Sequence, residues 1–356
     1  MEVIFIPNWS KGNPYQSLLA YHLAKKGVKV IYGISSYRNF LSLKQCIENQ
    51  GHPDILHIHW QHPFLVGWSN KRTILQSVSF LMELIFLKVS GIKIVWTVHN
   101  IVNHEEKYKS LELFFSKFLA KISDRLIVHS SSIRDIVAKV YKIDKNLIRI
   151  IPHGHYISCY ENNIRKPEAR KLLQIPIENK VFLYFGQIRP YKGISDLIDS
   201  FIDLHDSMAY LLIVGKPYNN ELIEEIENKT NKYENIKAIL RFIPDHEIQI
   251  YMNAADVVVF PFKKILTSGS VILAMSFAKP IIAPTSGCIP DILDNKGSFL
   301  YNPLSENSLL EAMKALLNFN DDNLRKMGEH NFKLAKQLRW DIVAEKTYKV
   351  YRESLQ

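Results

Sequence analysis

The chain has 356 residues and a mass of 41.3 kDa, a length that suggests about two domains at roughly 150 residues each. Hydrophobic residues make up 47% and charged residues 22%, which excludes a disordered, collagen-like or coiled-coil protein. The net charge of +10 suits an anionic partner: nucleic acid, acidic lipid or a phosphorylated small molecule. No recognisable nucleic-acid-binding motif occurs in the sequence, so we expect no nucleic acid partner.

Cysteine usage and hydropathy indicate the compartment. Cys46, Cys159 and Cys288 are odd in number and far apart, so they are interpreted as free thiols of a reducing compartment. The N-terminal residues lack the basic and apolar regions of a secretory signal. The most apolar stretch, residues 73–89, contains Gln76 and Glu83, so a buried helix explains it better than a membrane span. We therefore expect a cytoplasmic protein.

Short β-rich runs alternate with longer amphipathic segments along the whole chain. The predicted strands are residues 3–7, 29–33, 55–60, 93–99 and 125–129, and then 181–185, 210–214, 236–242, 257–262 and 280–283. The predicted helices of the first half are at about 14–27, 41–49, 70–90, 106–123 and 131–142. Several strands are apolar on both faces, as in parallel strands that helices cover on both sides. The pattern predicts the α/β class, with doubly wound parallel sheets.

A polar segment with an internal proline separates the two series. We predict an N-terminal Rossmann-like domain at 1–160, a linker at 161–178, a second Rossmann-like domain at 179–338 and a C-terminal helix within 339–356. A long helical stretch is expected at 305–338. Ligands of open parallel sheets bind at the carboxyl ends of the strands, so two such domains are expected to face each other across a crevice.

The loop after the first strand is a candidate ligand loop. It contains Ser10, Gly12 and Asn13; Gly12 permits positive φ, and Asn13 before Pro14 is typical of a helix N-cap. Such a turn points backbone N–H groups at a ligand. An ordinary βα turn explains the same residues equally well, because no GxGxxG pattern is present.

Histidines at the third predicted strand raise the question of zinc. His57 and His59 alternate onto one face of this strand, and His62 follows in the loop. Their spacing fits no standard zinc pattern, and no cysteine or nearby carboxylate completes a ligand set, so we expect no metal. His57, in the middle of the strand, is interpreted as a buried core histidine.

Polar residues after the fourth predicted strand are the catalytic candidates. His99 and Asn100 lie at its carboxyl end, and His104 and Glu105 follow shortly. Catalytic groups collect at such strand ends, so His99, His104 and Glu105 are assigned as catalytic and Asn100 as a substrate contact. The alternative for His104 and Glu105 is that they merely cap the following helix.

Two turns of the second half suit phosphate. Gly186, Arg189 and Lys192 follow a hydrophobic strand; glycine lets the backbone approach a phosphate, and the two cations neutralise it. A solvated basic turn is the alternative. The second turn precedes a helical run and offers hydroxyl groups, free N–H groups and the helix dipole. Its residues are Thr267, Ser268, Gly269 and Ser270. Two anion-binding turns in one domain indicate a diphosphate.

Four motifs in this order resemble the GT-B glycosyltransferases, and within them the family 4 type. They are IPHG (151–154), FGQIRPYKG (185–193), YMNAADVVVFPF (251–262) and AMSFAKPIIAPTSGCIPDIL (274–293). The resemblance covers nearly the whole chain. It implies that the second domain binds the donor nucleotide diphosphate, that the first binds the acceptor, and that the final helix returns to the first domain. It also implies that no metal or other cofactor is needed, because Lys and Arg stabilise the leaving diphosphate.

The sequence departs from this family at three positions. Gln187 stands where the family usually has arginine, and Arg189 is the candidate substitute. Ile265 and Leu273 stand where the family has two glutamates that contact the donor sugar and the ribose. Other groups must then hold the donor, with Thr267, Ser268, Ser270 or the backbone as candidates.

The resemblance implies a metal-independent glycosyltransferase that moves a hexose from a GDP- or UDP-linked sugar to a glycan or lipid-linked oligosaccharide in surface polysaccharide synthesis. A non-catalytic sugar-nucleotide-binding relative and a GT-B sugar-nucleotide epimerase stay open as alternatives. The resemblance favours retention of the anomeric configuration, with His99 orienting the sugar; inversion requires a base, for which Glu105 or His104 is best placed. The basic excess and the apolar residues 73–89 suit peripheral contact with anionic membrane at its inner face.

Overall fold

The computed structural model describes residues 1–11, 14–35, 41–103 and 108–356. The chain divides into two compact units. The first unit comprises Met1–Gly154 together with Arg339–Gln356, and the second comprises His155–Leu338. Each unit contains a six-stranded sheet in which all pairings are parallel. The α/β class predicted from the alternating pattern is confirmed.

The first unit is built on strands in the order β2-β1-β3-β4-β5-β6. These strands are β1 (Glu2–Ile6), β2 (Lys29–Tyr32), β3 (Ile55–Ile58), β4 (Lys93–Thr97), β5 (Arg125–Val128) and β6 (Ile148–Ile150). Its helices before the second unit are α1 (Pro14–Ala24), α2 (Ser42–Gln50), α3 (His62–Leu65), α4 (Asn70–Val89), α5 (Lys109–Ile122) and α6 (Ser131–Tyr141). A single 3₁₀ turn, Lys145–Leu147, precedes β6.

The second unit has the strand order β12-β11-β10-β7-β8-β9. Its strands are β7 (Lys180–Phe185), β8 (Ala209–Val214), β9 (Ile236–Ile239), β10 (Val257–Val259), β11 (Ile281–Pro284) and β12 (Ser298–Tyr301). Its helices are α7 (Lys166–Leu173), α8 (Ile194–Ile202), α9 (Asn220–Thr230), α10 (Ile248–Ala254), α11 (Gly269–Ser276), α12 (Ile289–Ile292), α13 (Ser308–Leu317) and α14 (Asp321–Gln337). Short 3₁₀ turns lie at Pro190–Lys192 and Asp245–Glu247.

The structure differs from the sequence-based elements where patterns were short or polar. The edge strands β6 and β12 lie outside the predicted strands; they have only three and four residues and are incompletely buried. The segment 161–178, predicted as a linker, contains α7, whose Arg170 is buried and donates to Asp256 Oδ2 at 2.6 Å. The helical stretch 305–338 is two helices, because Asn320 accepts a hydrogen bond from the Asn323 N–H and starts α14 there.

The last helix, α15 (Trp340–Leu355), belongs to the first unit and packs against α1 and β4. Trp340 and Tyr351 of this helix are buried in the same core as Tyr15 and Val95. The Tyr351 hydroxyl lies 2.6 Å from Nδ1 of His57, so the chain end is joined to the middle of the sheet.

Helix α4 differs from the buried helix that the sequence predicts at residues 73–89. Residues 73–89 form most of this helix, yet it is not a buried apolar helix. Its inner face combines Phe80 and Leu84 with buried polar groups such as Gln76 and Glu83, whereas several large apolar side chains point to solvent. Among the described residues no helix is long and apolar enough to cross a membrane.

Candidate functional site

In the second unit, two glycines allow the ends of β7 and β8 to approach closely. Gly186 has φ +143° and Gly215 has φ +153°, conformations that side chains rarely adopt. A Cβ on Gly215 would collide with the carbonyl oxygen of Gly186, and a Cβ on Gly186 would lie 2.9 Å from the Ser270 Oγ. The first predicted phosphate turn therefore lies directly against the start of α11.

The start of α11 carries the second predicted anion-binding group. The buried Ser268 is its N-cap, and its Oγ accepts a hydrogen bond from the Val271 N–H at 3.4 Å. Gly269 and Ser270 form the first turn, and Thr267 immediately precedes the cap. The first N–H groups of a helix lack intrahelical acceptors, so this turn offers donors, hydroxyl groups and the positive end of the helix dipole. The structure thus brings both predicted turns together.

Lys192 lies beside these turns in an environment that disfavours its charge. Its Nζ is 4.2 Å from the ring centroid of Phe262 and 5.3 Å from that of Tyr191. Burial, and next the positive charge of Arg189, lower the pKa of Lys192 to about 8. A bound anion would offset the repulsion between Lys192 and Arg189, because it would stabilise both cations. A bound phosphate would therefore favour the charged form of Lys192.

Arg189 is oriented by its neighbours. Its guanidinium carbon lies 4.3 Å from the ring centroid of Tyr218, and Nη2 is 3.5 Å from Oε1 of Gln187. The residue at the family's usual arginine position thus contacts the arginine that we proposed as its substitute. At the two positions where the family has glutamate, Leu273 is buried in α11 and Ile265 precedes the Thr267–Ser270 turn. Neither side chain can accept a hydrogen bond from a sugar.

In the first unit a histidine follows each of four neighbouring strands. His59, His99, His129 and His153 come shortly after β3, β4, β5 and β6. The ring of Tyr15, on α1, packs against all four, with centroid distances of 5.7, 5.1, 5.8 and 4.9 Å. The carboxyl edge of this sheet is therefore a cluster of imidazoles around one tyrosine, which we call the histidine row.

The hydrogen bonds of the row determine the tautomer of His99. Nδ1 of His129 lies 2.9 Å from the carbonyl oxygen of Ile151, which can only accept, so Nδ1 carries the proton. Nε2 of the neutral His129 ring is then an acceptor, and it lies 3.3 Å from Nδ1 of His99. His99 therefore donates from Nδ1 and keeps a lone pair on Nε2.

Burial keeps these rings neutral. It lowers the pKa of His129 to about 4 and that of His99 well below the usual value, with the neighbouring histidines adding to the shift at His99. The imidazole of His99 also stacks on the indole of Trp60, at 4.4 Å between centroids and 15° between planes. His99 is thus a fixed, uncharged hydrogen-bond acceptor at neutral pH.

The structure describes some of the other candidate residues of the first unit and not others. The Ser10 hydroxyl donates to Asn8 Oδ1 at 2.7 Å, and the Asn100 carbonyl accepts from Gln61 at 3.3 Å. His57 is fully buried between Tyr351 and Thr97, as a core histidine should be. Gly12, Asn13, His104 and Glu105 lie outside the described residues. In the ranges that the structure describes, no three His, Cys, Asp or Glu side chains are arranged to hold a metal ion.

Sequence reasoning did not single out His129 and His153. Their signal was present: a histidine follows each hydrophobic run in HIHW, TVHN, IVHS and IPHG. In a parallel sheet such strand ends meet at one edge, so the repeated placement could have predicted the row.

Comparison with known proteins identifies a family for each of the two units. The family model described as Glycosyltransferase Family 4 matches residues 4–156, and the one described as Glycosyl transferases group 1 matches residues 165–333. The chain is 26% identical over 320 residues to a GDP-mannose:glycolipid 4-beta-D-mannosyltransferase of Xanthomonas campestris pv. campestris, covering 89% of this chain and 84% of that protein.

Solved structures extend the comparison to the fold. A sucrose-phosphate synthase of Thermosynechococcus elongatus matches with a TM-score of 0.79 and 16% identity, covering 99% of this chain and 98% of the other. HepE of Anabaena, in complex with UDP-glucose, matches with a TM-score of 0.77 and 14% identity, covering 99% and 98%. The chain belongs to the GT-B glycosyltransferases of the family 4 type.

Proposed function

We propose that this glycosyltransferase moves a hexose from a nucleoside-diphosphate sugar to a glycan or lipid-linked oligosaccharide acceptor in surface polysaccharide synthesis. The observation that supports it most is the close approach of Gly186 to Ser270 beside Lys192, which suits a diphosphate. GDP-mannose is the donor that we propose first, because the Xanthomonas relative is named for it. That relative's name also supports a glycolipid acceptor, and we place the reaction at the cytoplasmic face of the membrane.

In this proposal the second unit neutralises the leaving diphosphate without a metal ion. Lys192 contributes a point charge and Arg189 a planar guanidinium, while the start of α11 contributes N–H groups and the Ser268 and Ser270 hydroxyls. Such positioned charges stabilise negative charge as it develops, which is the main requirement for departure of a nucleoside diphosphate.

The first unit contributes His99. Its Nε2 lone pair accepts a hydrogen bond from a substrate hydroxyl group, and His129 acts as a positioning residue that holds the required tautomer. Because burial lowers the pKa of His99 well below its usual value, the ring stays neutral at neutral pH and its Nε2 keeps the lone pair. It is therefore better suited to orienting a hydroxyl group than to accepting its proton fully.

The stereochemical outcome has two candidates. The family resemblance favours retention, in which the leaving diphosphate accepts the proton. The name of the Xanthomonas relative specifies a β-linked product from GDP-mannose, whose sugar is α-linked, and such a product requires inversion. Because Leu273 and Ile265 replace the two family glutamates and similarity to that relative spans 89% of the chain, we propose inversion. The base is then Glu105 or His104.

The test is turnover with defined donors. GDP-mannose, GDP-fucose, UDP-glucose and dTDP-glucose are each incubated with the purified chain and a bacterial glycolipid extract, and nucleotide release and product mass are measured. We expect GDP release that depends on the extract and a mass increase of one hexose, with proton NMR showing a β-linked residue. Binding without release would favour the non-catalytic relative, and conversion of the donor without an acceptor would favour the epimerase.

A further inference from the structure

Helix α4 presents an apolar stripe to solvent along its whole length. Ile74, Val78, Met82, Ile85, Phe86 and Val89 are all between 42% and 84% exposed. At about 100° per residue these positions fall on one side of the helix, and they extend over about 22 Å. The core-facing side of α4 combines four apolar with four polar residues: Phe80, Leu81, Leu84 and Leu87 with Thr73, Gln76, Ser77 and Glu83. The outer stripe is therefore additional to the apolar residues that α4 turns towards the core.

The neighbouring helix α5 enlarges this surface. It packs beside α4 and exposes Phe114 and Phe118, which are 53% and 47% accessible. Trp68, in the loop before α4, is 74% exposed, and Arg72 lies over its ring at 4.9 Å. Several large apolar side chains are therefore exposed on these neighbouring elements of the first unit. Isolated exposed apolar residues are normal, but a group of this size indicates an interaction surface.

The exposed charged residues of the two helices are Lys71 in α4 and Lys109 and Lys121 in α5, and all three are positive. Arg72 and Lys117 are half-buried cations of the same helices, whereas the half-buried Lys88, near the end of α4, pairs with Asp124 Oδ1 at 3.1 Å. The two acids of these helices, Glu83 and Glu112, are buried. Glu83 accepts a hydrogen bond from the Lys44 N–H, and Glu112 accepts one from the Asn103 N–H, so both acids are used inside the unit.

This charge distribution separates the possible occupants of the surface. A second copy would add an identical set of cations to this surface, and the whole chain already carries +10, so the electrostatic repulsion disfavours two copies. An anionic bilayer offers negative headgroups for the lysines and a hydrocarbon boundary for the stripe. An exposed tryptophan beside the stripe also matches the preference of indole for that boundary.

We propose that α4 and α5 form a membrane-docking face, with α4 lying in the plane of an anionic lipid bilayer. This inference deepens the proposed function, on which it rests for the lipid-linked acceptor. Docking would hold the first unit, with its histidine row, at the surface where such an acceptor resides. The nature of the surface itself depends only on α4, α5 and Trp68.

The test is co-sedimentation of the full chain with vesicles of phosphatidylcholine alone or with one quarter phosphatidylglycerol. We expect binding to the anionic vesicles that weakens in 0.5 M salt, and much weaker binding to the neutral vesicles. The double variant Met82→Glu/Phe86→Glu should reduce affinity at least about tenfold, because it removes two exposed apolar groups and adds two negative charges. Leu172→Glu is the matched control, since Leu172 is 58% exposed on α7 of the second unit.

Three results would overturn the docking face: no binding of the unaltered chain to anionic vesicles, equal binding of the double variant, or an equal loss in the Leu172→Glu control. Analytical ultracentrifugation without vesicles tests the second copy as occupant; self-association that the double variant abolishes would assign the surface to a dimer instead. GDP binding by the double variant, measured by calorimetry, should be unchanged. A failure of donor binding or transfer in the unaltered chain would count against the proposed function and not against docking.

Discussion

Nε2 of His129 lies 3.3 Å from Nδ1 of His99, and the Ile151 carbonyl on the far side of His129 orders the protons along this chain. A backbone carbonyl at the end of β6 therefore decides that the lone pair of His99 is on Nε2. The arrangement acts on His99 as an outer partner acts on a ligating histidine, by fixing both the tautomer and the ring orientation.

Replacing His129 should impair the role of His99 without touching substrate. We expect His129→Leu to lower kcat at least about tenfold with little change in KM for the donor, because it removes the acceptor for the His99 N–H. His129→Gln offers an amide oxygen in its place and should recover part of the loss. Steady-state kinetics of both variants measure this, and equal activity of Leu and Gln variants would remove the positioning role.

His99 itself should be required for turnover and not for nucleotide binding. His99→Ala should lower kcat at least about a hundredfold, within the range of a group that assists proton movement or orients the reacting hydroxyl. GDP affinity, measured by calorimetry, should stay near that of the unaltered chain, because Lys192 and α11 belong to the other unit. His22→Ala, on α1, is the control. Full activity of His99→Ala would refute the assignment.

Lys192 should carry part of the nucleotide affinity. Lys192→Ala should weaken GDP binding by about 1–3 kcal/mol, the range of a hydrogen bond to a charged group. Lys263→Ala is the matched control, because Lys263 lies in the adjoining loop but pairs with Asp196 at 2.9 Å. Unchanged GDP affinity in both Lys192→Ala and Arg189→Ala would show that the phosphate site lies elsewhere.

The same lysine predicts a pH dependence. In the nucleotide-free protein the pKa of Lys192 is about 8, so the ammonium is lost as pH rises through that value. Because phosphate binding needs the charged form, the GDP dissociation constant should rise above pH 8, by up to about tenfold per unit. Lys192→Arg should flatten the profile between pH 7 and 9, since a guanidinium stays protonated. A profile that Lys192→Arg leaves unaltered would exclude Lys192 as its source.

The histidine row, together with His57, predicts acid sensitivity of the first unit. Burial lowers the pKa of His57 and His153 to about 3 and that of His129 to about 4. It also lowers the pKa values of His59 and His99 well below their usual value. The unfolded chain, with histidine pKa values near 6.5, binds protons that the folded chain does not. Stability is therefore complete above about pH 6.5 and falls below it, by up to about 1.4 kcal/mol per pH unit for each histidine.

Tryptophan fluorescence measures this effect selectively. All five tryptophans of the chain lie in the first unit, so urea unfolding followed by their emission reports that unit alone. We expect the urea midpoint to fall clearly between pH 7.0 and 5.5. An equal midpoint at both values would mean that the rings take up protons without loss of the fold.

Local patterns in the sequence determined the class of fold and indicated part of the candidate site. The order of strands and helices follows from hydrophobic periodicity, which each segment carries by itself. Gly186, Lys192 and Ser268 are candidates from single turns. A glycine directly after a strand, or a serine directly before a helix, can be recognised from the few residues beside it. His99 is a candidate from the sequence because it directly follows one apolar strand.

Only the tertiary structure decided which groups meet. His99 and His129 are 30 residues apart and become partners because β4 and β5 are adjacent in the sheet, and Ile151 joins them because β6 pairs with β5. Burial lowers the pKa of Lys192, and the ring centroid of Phe262, 70 residues further along the chain, lies 4.2 Å from its Nζ. The sequence predicts a buried helix at residues 73–89 but does not say which of its side chains face solvent, because hydrophobicity along a segment does not show which side the rest of the unit covers.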